Sequence, residues 1–543
     1  MKFDIKKRGV FAGIIALVFI STTAYKTDYF EIAKQLDIFT SLFKEVNMNY
    51  VDETNPAALM QESVKQMLKD LDPYTTYMNE QDVEKARINQ SGAYVGIGAT
   101  INTSKNKLVI VEVYKNLPAD KVGLKAGDEI IKIDGVSVGD LEDSATLFLN
   151  GKKNTTVKLV YLRKGKTTEV IVGRKDVKPK AVPVYKLLTN GVGYIALDRF
   201  SKTASKEVEG ALKLLLIDEA KGVILDLRNN PGGLLQEAVK IVNFFVPKGQ
   251  LVVSTKSNMD SYNQTFETQK QPLSLDIPLV ILVNQNSASA SEIVAGALQD
   301  LDRAVIVGKR SFGKGLVQRP MPLPYGSQLK VTISRYYTPS GRCIQALDYR
   351  NRGENGSALR YDESQYAAFK TKNGRTVFDG GGINPDVIVG TEKPNPFIEK
   401  LLKSPLVFEY SNQYYHNNTV ENLESFQLNK RDFEAFKKMS LSENYSEIAG
   451  VQDELNQLKN SLIKHGFEVM DTRFIDLGTA LQASKIKLIE EFEPEISAVL
   501  EGEIIKRYFY REGMYAYFLA TNDEVFKAQE IIMNREVYNS ILK

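Results

Sequence analysis

Three short segments carry residues whose types and spacing suit acyl transfer. In Asn284-Gln285-Asn286-Ser287-Ala288-Ser289-Ala290-Ser291-Glu292, serines recur at alternate positions after the apolar run Pro278 to Val283. A serine at a strand-to-helix turn projects among unsatisfied N–H groups, which suits a nucleophile and equally suits a helix cap. A nearby base decides between the two. Downstream, Lys314 stands between Gly313 and Gly315, where backbone can approach closely and an amine can be shielded. To deprotonate a serine, that lysine must be neutral near pH 7, so burial must lower a pKa of about 10.4 by several units. Gln318 follows four residues later, a spacing that puts both side chains on one face of a helix or strand, so its amide can orient the amine. The third segment, Asp226-Leu227-Arg228-Asn229-Asn230-Pro231-Gly232-Gly233, ends in glycines that expose backbone N–H groups. Gly232 or Gly233 would then supply half of an oxyanion hole and the Ala290 N–H the other half, each donor being typically worth about 3 kcal/mol.

The elements around these segments must bring them together. From about residue 179 to 346, continuous apolar runs such as Val223 to Leu227 and Pro278 to Val283 alternate with helical stretches beginning near Leu234 and Ser289. Continuous rather than alternating apolar strands indicate an α/β sheet covered on both faces. Between Gly92 and Arg174 the pattern changes to short β-rich runs, Leu108 to Val111 and Val157 to Tyr161, separated by turn residues. From about Asp28 to Asn89 the chain reads as amphipathic helix, with Leu36, Phe39, Leu42, Phe43 and Val46 at helical spacing. That stripe faces either a partner subunit or the chain's own body. Beyond about Pro396 the sequence is helical and charged, and packing is the expected role of that extension.

Composition removes several other chemistries. With 543 residues, the chain is long enough for three or four domains. Lys plus Arg total 70 against 67 Asp plus Glu, so a net charge of +3 gives no field that points to nucleic acid. The single cysteine, Cys343, cannot form an internal disulfide, and with only His416 and His465 no Cys/His metal cluster can be assembled. Both histidines fall outside the three segments, so the base is not expected to be histidine, and no metal or organic cofactor is called for. Gly308 to Lys314 matches a phosphate-binding loop as far as its lysine, but Gly315 stands where a magnesium-binding hydroxyl belongs, and Leu316 to Pro320 does not open a helix.

The first residues place Lys6, Lys7 and Arg8 before an apolar run, Val10 to Ile20, and then Ser21, Thr22, Thr23 and Ala24. This is the pattern of an export signal over residues 1–24, either cleaved or retained as an anchor. The expected location is therefore periplasmic, or anchored to an inner membrane and facing the periplasm.

The segment Gly123-Leu124-Lys125-Ala126-Gly127-Asp128-Glu129-Ile130-Ile131-Lys132-Ile133-Asp134-Gly135 resembles the PDZ signature. Ahead of it, Gly96-Ile97-Gly98 resembles the PDZ carboxylate loop, where glycines let successive N–H groups converge on a peptide C-terminus. Together with Asp226 to Gly233, Ser287 to Glu292, Phe312-Gly313-Lys314-Gly315 and Gly381-Gly382-Ile383-Asn384-Pro385-Asp386, these motifs resemble the C-terminal processing (tail-specific) proteases over roughly Leu36 to Val387. The resemblance implies Ser289 as nucleophile, Lys314 as general base and Gln318 as its support. It also maps an aspartate sometimes counted in the relay onto Asp300, for which a structural ion pair with Arg303 is the favoured reading. It implies a multidomain α+β protein: a helical dimerisation region (28–90), a PDZ domain (92–175), a crotonase-like protease core (179–395) and a helical extension (396–543). The implied partners are proteins with apolar C-terminal tails, a second copy of the chain and an adaptor protein, with no nucleic acid. A rival reading, a PDZ binding protein whose enzyme fold is silent, is disfavoured by the intact Ser289, Lys314 and Gln318.

Overall fold

The computed structural model describes residues 29–104, 107–141, 145–353, 356–390, 395–442, 451–467 and 471–543; the expected export signal at 1–24 lies outside them. The chain divides into two compact units, residues 1–77 and 78–543. In the first, residues 29–49 form one helix and Pro56–Lys69 a second, opened by the Asn55 side chain accepting from the Ala58 N–H. The apolar stripe of the first helix lies open within its unit, Leu36 being 61% and Leu42 58% exposed. Among the described residues, no helix is long and apolar enough to cross a membrane.

In the second unit, strands Ala99–Ser104, Lys107–Val113, Glu129–Ile133, Thr156–Arg163 and Lys166–Gly173 form an antiparallel sheet, with Ala99–Ser104 at one edge. Alternate residues Leu108, Ile110, Val157 and Leu159 point into one core with Ile130 and Ile133. The Gly127-Asp128 pair of the signature has a structural reason. Asp128 is fully buried and takes both arms of the Arg163 guanidinium at 2.6 Å, while also accepting from the Lys125 N–H at 2.8 Å. One carboxylate thereby ties the turn to a neighbouring strand through a two-pronged, charge-assisted contact.

The catalytic-looking segments hang from an α/β core, whose elements are β1 (Tyr185–Leu187), β2 (Val192–Ala196), α1 (Ala204–Ile217), β3 (Gly222–Asp226), α2 (Leu235–Val242), β4 (Leu251–Lys256), β5 (Leu279–Val283), α3 (Ala290–Asp300), β6 (Val305–Gly308), β7 (Leu316–Pro322), β8 (Gln328–Tyr337) and β9 (Val387–Ile388). Six of these strands pair in the order β1-β2-β3-β5-β6-β9, parallel except for the β1–β2 hairpin. Every residue of β2, β3, β5 and β6 is buried, as the unbroken apolar runs require. Helices α1, α2 and α3 cover one face. β4, β7 and β8 belong to a separate antiparallel sheet.

The other face is covered from far downstream. Helices α4 (Glu493–Thr521), α5 (Asp523–Met533) and α6 (Arg535–Ile541) lie in the extension, and Val525, Ala528, Ile531, Ile532 and Tyr538 pack on Val192, Tyr194, Ile224, Val280, Val305 and Val307. The approach is so close that a Cβ on Gly222 would sit 2.3 Å from the Ile532 Cγ2. The extension is thus the second layer of the core as well as an appendage with a small core of its own around Leu401, Phe433, Phe436 and Leu500. Ile532→Ala should cost about 2–5 kcal/mol in a denaturant melt, the usual range for emptying a buried aliphatic site. A loss under 0.5 kcal/mol would mean that α5 is not integral to the core.

Helix α4 also reaches the PDZ module. Its backbone leaves helical geometry at Tyr510 (φ 60°, ψ −167°), whose hydroxyl donates to Asp120 at 2.7 Å. Next to it, Arg511 donates to Glu112 at 2.7 Å on the PDZ side and to Asp198 at 2.7 Å on the core side. Tyr515 donates to Asp198 as well.

Candidate active site

The turn from β5 into α3 presents three serines in three different states. Ser287 and Ser291 are fully buried and committed to structure: the Ser287 Oγ donates to the Leu227 carbonyl at 2.8 Å and the Ser291 Oγ to the Asn230 carbonyl at 2.9 Å. Ser289, between them, is only partly buried and adopts φ 56°, ψ −111°. A positive φ is uncommon for serine, and strain of this kind at a strand-to-helix turn is how a nucleophile is pushed out ahead of its helix.

The residue that organises the site is Glu292, quoted above within the serine motif but given no role there. It is fully buried, and its two oxygens accept four hydrogen bonds. Oε1 takes the Ser311 hydroxyl at 2.6 Å and the Gly313 N–H at 2.7 Å; Oε2 takes the Ser289 N–H at 2.8 Å and the Lys314 N–H at 2.9 Å. A single oxygen therefore holds the backbones of the serine and the lysine, 25 positions apart in the chain. The Tyr336 hydroxyl closes the junction from the other side, meeting the Ser289 carbonyl at 3.2 Å and also the Lys314 carbonyl. Burial pushes the Glu292 carboxyl up to about 7, against the lowering effect of its hydrogen bonds to Ser311, Lys314, Gly313 and Ser289. Its signal was present in the sequence, since Ser289-x-x-Glu292 is capping-box spacing. Tyr336 lies on β8; the stretch Tyr336 to Gly341 resembles one beside the active site in the tail-specific proteases, but the sequence gives its residues no individual roles.

The turn after β3 abuts the serine turn. A Cβ on Gly232 (φ 97°) would fall 2.6 Å from the Ala288 carbonyl oxygen and 2.9 Å from the Ala290 nitrogen, so only glycine fits there. The Gly232 N–H donates to the Asn230 side chain at 2.9 Å. Among the described residues, the N–H groups of Gly233 and Ala290 meet no acceptor. Asn230 is buried and fixes the turn further, donating to the Leu197 carbonyl at 2.6 Å.

Two details of the sequence reading change. Lys314 precedes β7 in an irregular stretch, and the β7–β8 register shifts between Val317 and Gln318, so the four-residue spacing does not place Lys314 and Gln318 on one strand face. The Gln318 amide donates to the Thr332 hydroxyl at 3.2 Å. Asp300 closes the far end of α3, about 16 Å from Ser289 at 1.5 Å per residue. Its ion-pair partner is Arg342, at 2.7 Å with both side chains fully buried, and it also accepts from the Thr338 hydroxyl and the Ser340 N–H. Arg303 instead donates to the carbonyls of Phe245 and Ile277.

In the PDZ module, Gly96 ends the strand Tyr94–Gly96, Ile97 is buried and Gly98 takes φ 81°. The Ile97 and Gly98 carbonyls accept from the Ala119 and Tyr114 N–H groups, which turns this loop onto the start of the edge strand Ala99–Ser104. An edge strand beside a glycine loop is where an extended peptide adds to a sheet. Among the described residues, no group of three His, Cys, Asp or Glu side chains is arranged to hold a metal ion.

Family models match three parts of the chain: peptidase family S41 over residues 191–351, a PDZ domain over 95–173, and the C-terminal helical domain of probable PDZ-proteases over 397–532. The last match covers a region that the motif resemblance did not reach. A carboxy-terminal-processing protease of Bartonella bacilliformis is 36% identical over 321 residues, covering 58% of this chain and 73% of that protein. A probable CtpA-like serine protease of Staphylococcus haemolyticus is 35% identical over 304 residues, covering 56% of this chain and 61% of its own length. A solved photosystem II D1 C-terminal processing protease aligns with 65% of this chain and 92% of its own, at 25% identity and a TM-score of 0.36. With a protease model spanning the Ser289–Lys314 junction and a PDZ model ahead of it, the chain belongs to the carboxy-terminal-processing proteases of peptidase family S41, PDZ-containing proteases of the serine type.

Proposed function

We propose that this chain is an exported endopeptidase that cuts protein substrates near their C-termini with a Ser289–Lys314 dyad. The observation that carries the reading is the shared Glu292 oxygen, which brings the serine and lysine backbones to one point beside a glycine turn. Neutral Lys314 takes the Ser289 proton, the serine oxygen attacks a peptide carbonyl, the Gly233 and Ala290 N–H groups receive the oxyanion, and the C–N bond breaks as the Lys314 ammonium passes its proton to the leaving amine. With the Gly232 N–H engaged by Asn230, Gly233 is the better donor of the two glycines. Gln318, the support that the family resemblance implies, keeps its amide on the Thr332 hydroxyl, and Asp300, remote from the dyad, serves the fold. Water then releases the acyl-enzyme without a cofactor. The core is read as crotonase-like from its parallel sheet and the placement of the serine at a helix start.

The PDZ domain, in this reading, receives an apolar substrate tail at Gly96, Ile97 and Gly98 and gates the protease. Arg511, held by the PDZ carboxylate of Glu112 and the core carboxylate of Asp198, supports such a gate, because PDZ movement must break or carry a charged contact to the core. The open apolar stripe Leu36, Phe39, Leu42 and Val46 suits a homodimer; an adaptor protein and a periplasmic or membrane-anchored location complete the proposal.

Cleavage of a peptide with an apolar C-terminus, mapped by mass spectrometry, tests the reading. The rate should rise with pH as Lys314 loses its proton. A flat profile across neutral to alkaline pH, with the protein folded throughout, would defeat the lysine base. Cleavage unaffected by a charged or amidated tail would defeat tail recognition.

A further inference from the structure

The turn that carries Gly232 and Gly233 begins with Arg228, whose side chain points away from the serine. It is largely covered, with 12% of the side chain exposed, and surrounded by acceptors. Nε and Nη2 contact Asp226, the latter at 2.5 Å, while Nη1 donates to the Asn522 Oδ1 and the Glu524 Oε2, both at 2.7 Å. Asp226 is fixed in turn by the Tyr194 hydroxyl at 2.7 Å and accepts from the Arg228 N–H at 3.0 Å. Burial works against the guanidinium charge, but Asp226 and then Glu524 outweigh it and hold Arg228 above its usual pKa.

Asn522 and Glu524 lie at the start of α5, where the Asn522 oxygen also accepts from the Val525 N–H at 3.1 Å. A cation at a helix N-terminus opposes the helix dipole, so this placement is not one that helix electrostatics would choose. It is tolerated because Glu524 and Asn522 supply the acceptors. The contact joins the oxyanion-side turn to the helical domain, roughly 300 residues along the chain.

We propose that Asn522 and Glu524 are positioning residues for catalysis: acting through Arg228, they hold the Gly232-Gly233 turn where the oxyanion forms. This rests on the function proposed above. The helical domain then contributes to the rate as well as to the core, because a displacement of about 1 Å in such a donor costs up to 10²-fold. Removing the Glu524 charge leaves Arg228 with Asp226 and the neutral Asn522 oxygen, a weaker hold that lets the turn shift.

The test uses the full chain with Glu524→Gln, Asn522→Ala and the conservative Glu524→Asp, and with Ile532→Ala as a variant that loosens the same helix without touching Arg228. All are compared at a temperature where each is folded, by kcat, KM and inhibition by a peptide aldehyde, whose adduct needs the oxyanion donors. Glu524→Gln should lower kcat tenfold or more with KM within twofold, and weaken aldehyde inhibition by a similar factor. Glu524→Asp should recover part of both losses, and Ile532→Ala should change neither. Equal losses in Ile532→Ala and Glu524→Gln, or an unchanged kcat in Glu524→Gln, would overturn the proposal. If instead Ser289→Ala cleaves like the unaltered protein, the dyad reading fails first, and that outcome is read from a separate variant.

Discussion

Ser289→Ala and Lys314→Met should each lower the cleavage rate by on the order of 10⁴-fold or more, and the double variant should be no slower than the slower single one. Members of a nucleophile–base unit act together, so losing either leaves only the binding and oxyanion contributions that both variants share. The geometry favours this coupling, since the two backbones depend on one carboxylate and one tyrosine hydroxyl rather than on separate supports. Initial rates on a tailed peptide, with circular dichroism to verify folding, provide the measurement. Additive losses in the double variant would show that serine and lysine work in different steps, and a Lys314→Met rate within tenfold of the unaltered protein would assign the proton to another group.

The second large effect belongs to Glu292→Gln. Each carboxylate oxygen accepts from two donors, and an amide can accept at only one of those positions. The NH2 group must therefore face N–H groups that need acceptors, each unsatisfied buried donor costing about 1–3 kcal/mol. At the Oε1 position the Ser311 hydroxyl can rotate, but the Gly313 N–H cannot; at Oε2 both partners are backbone N–H groups. Activity should fall about 10²-fold or more as the serine and lysine segments separate.

The same variant has a pH signature. The folded-state pKa of Glu292 is raised to about 7 from a reference of 4.5, so its contribution to stability is full below 4.5 and is lost as pH rises through 7. Glu292→Gln should flatten the decline of the melting temperature between pH 5 and 7.5. An unchanged slope would mean that this carboxyl titrates normally and does not carry the burial cost assigned to it.

The reach of the sequence is clearest at the strands and at the serine turn. Unbroken apolar runs at Val223 to Leu227 and Pro278 to Val283 announced strands buried on both faces, and they are. The alternating serines announced a helix start, although only the fold separates the partly buried Ser289 from the fully buried Ser287 and Ser291. What covers the sheet's second face was not legible, because Val525, Ile531 and Ile532 reach it from far along the chain and a helical stripe does not name its partner. Arg342, rather than Arg303, pairs with Asp300 for the same reason: proximity in sequence is a poor guide once a turn reverses the chain. Gln318 shows the limit of periodicity, which holds only inside a regular element and fails across the irregular entry to β7.

The close seating of Ile532 over Gly222 sets an order of events during synthesis. Chains emerge from the N-terminal side and domains form as they appear, so Ser289 and Lys314 are made well before the helix that seals the back of their sheet. Until α5 docks, Val192, Tyr194, Val280 and Val305 face solvent and Arg228 lacks two of its acceptors. A protease assembled in that sequence lacks the second layer of its core until α5 has been made and has docked.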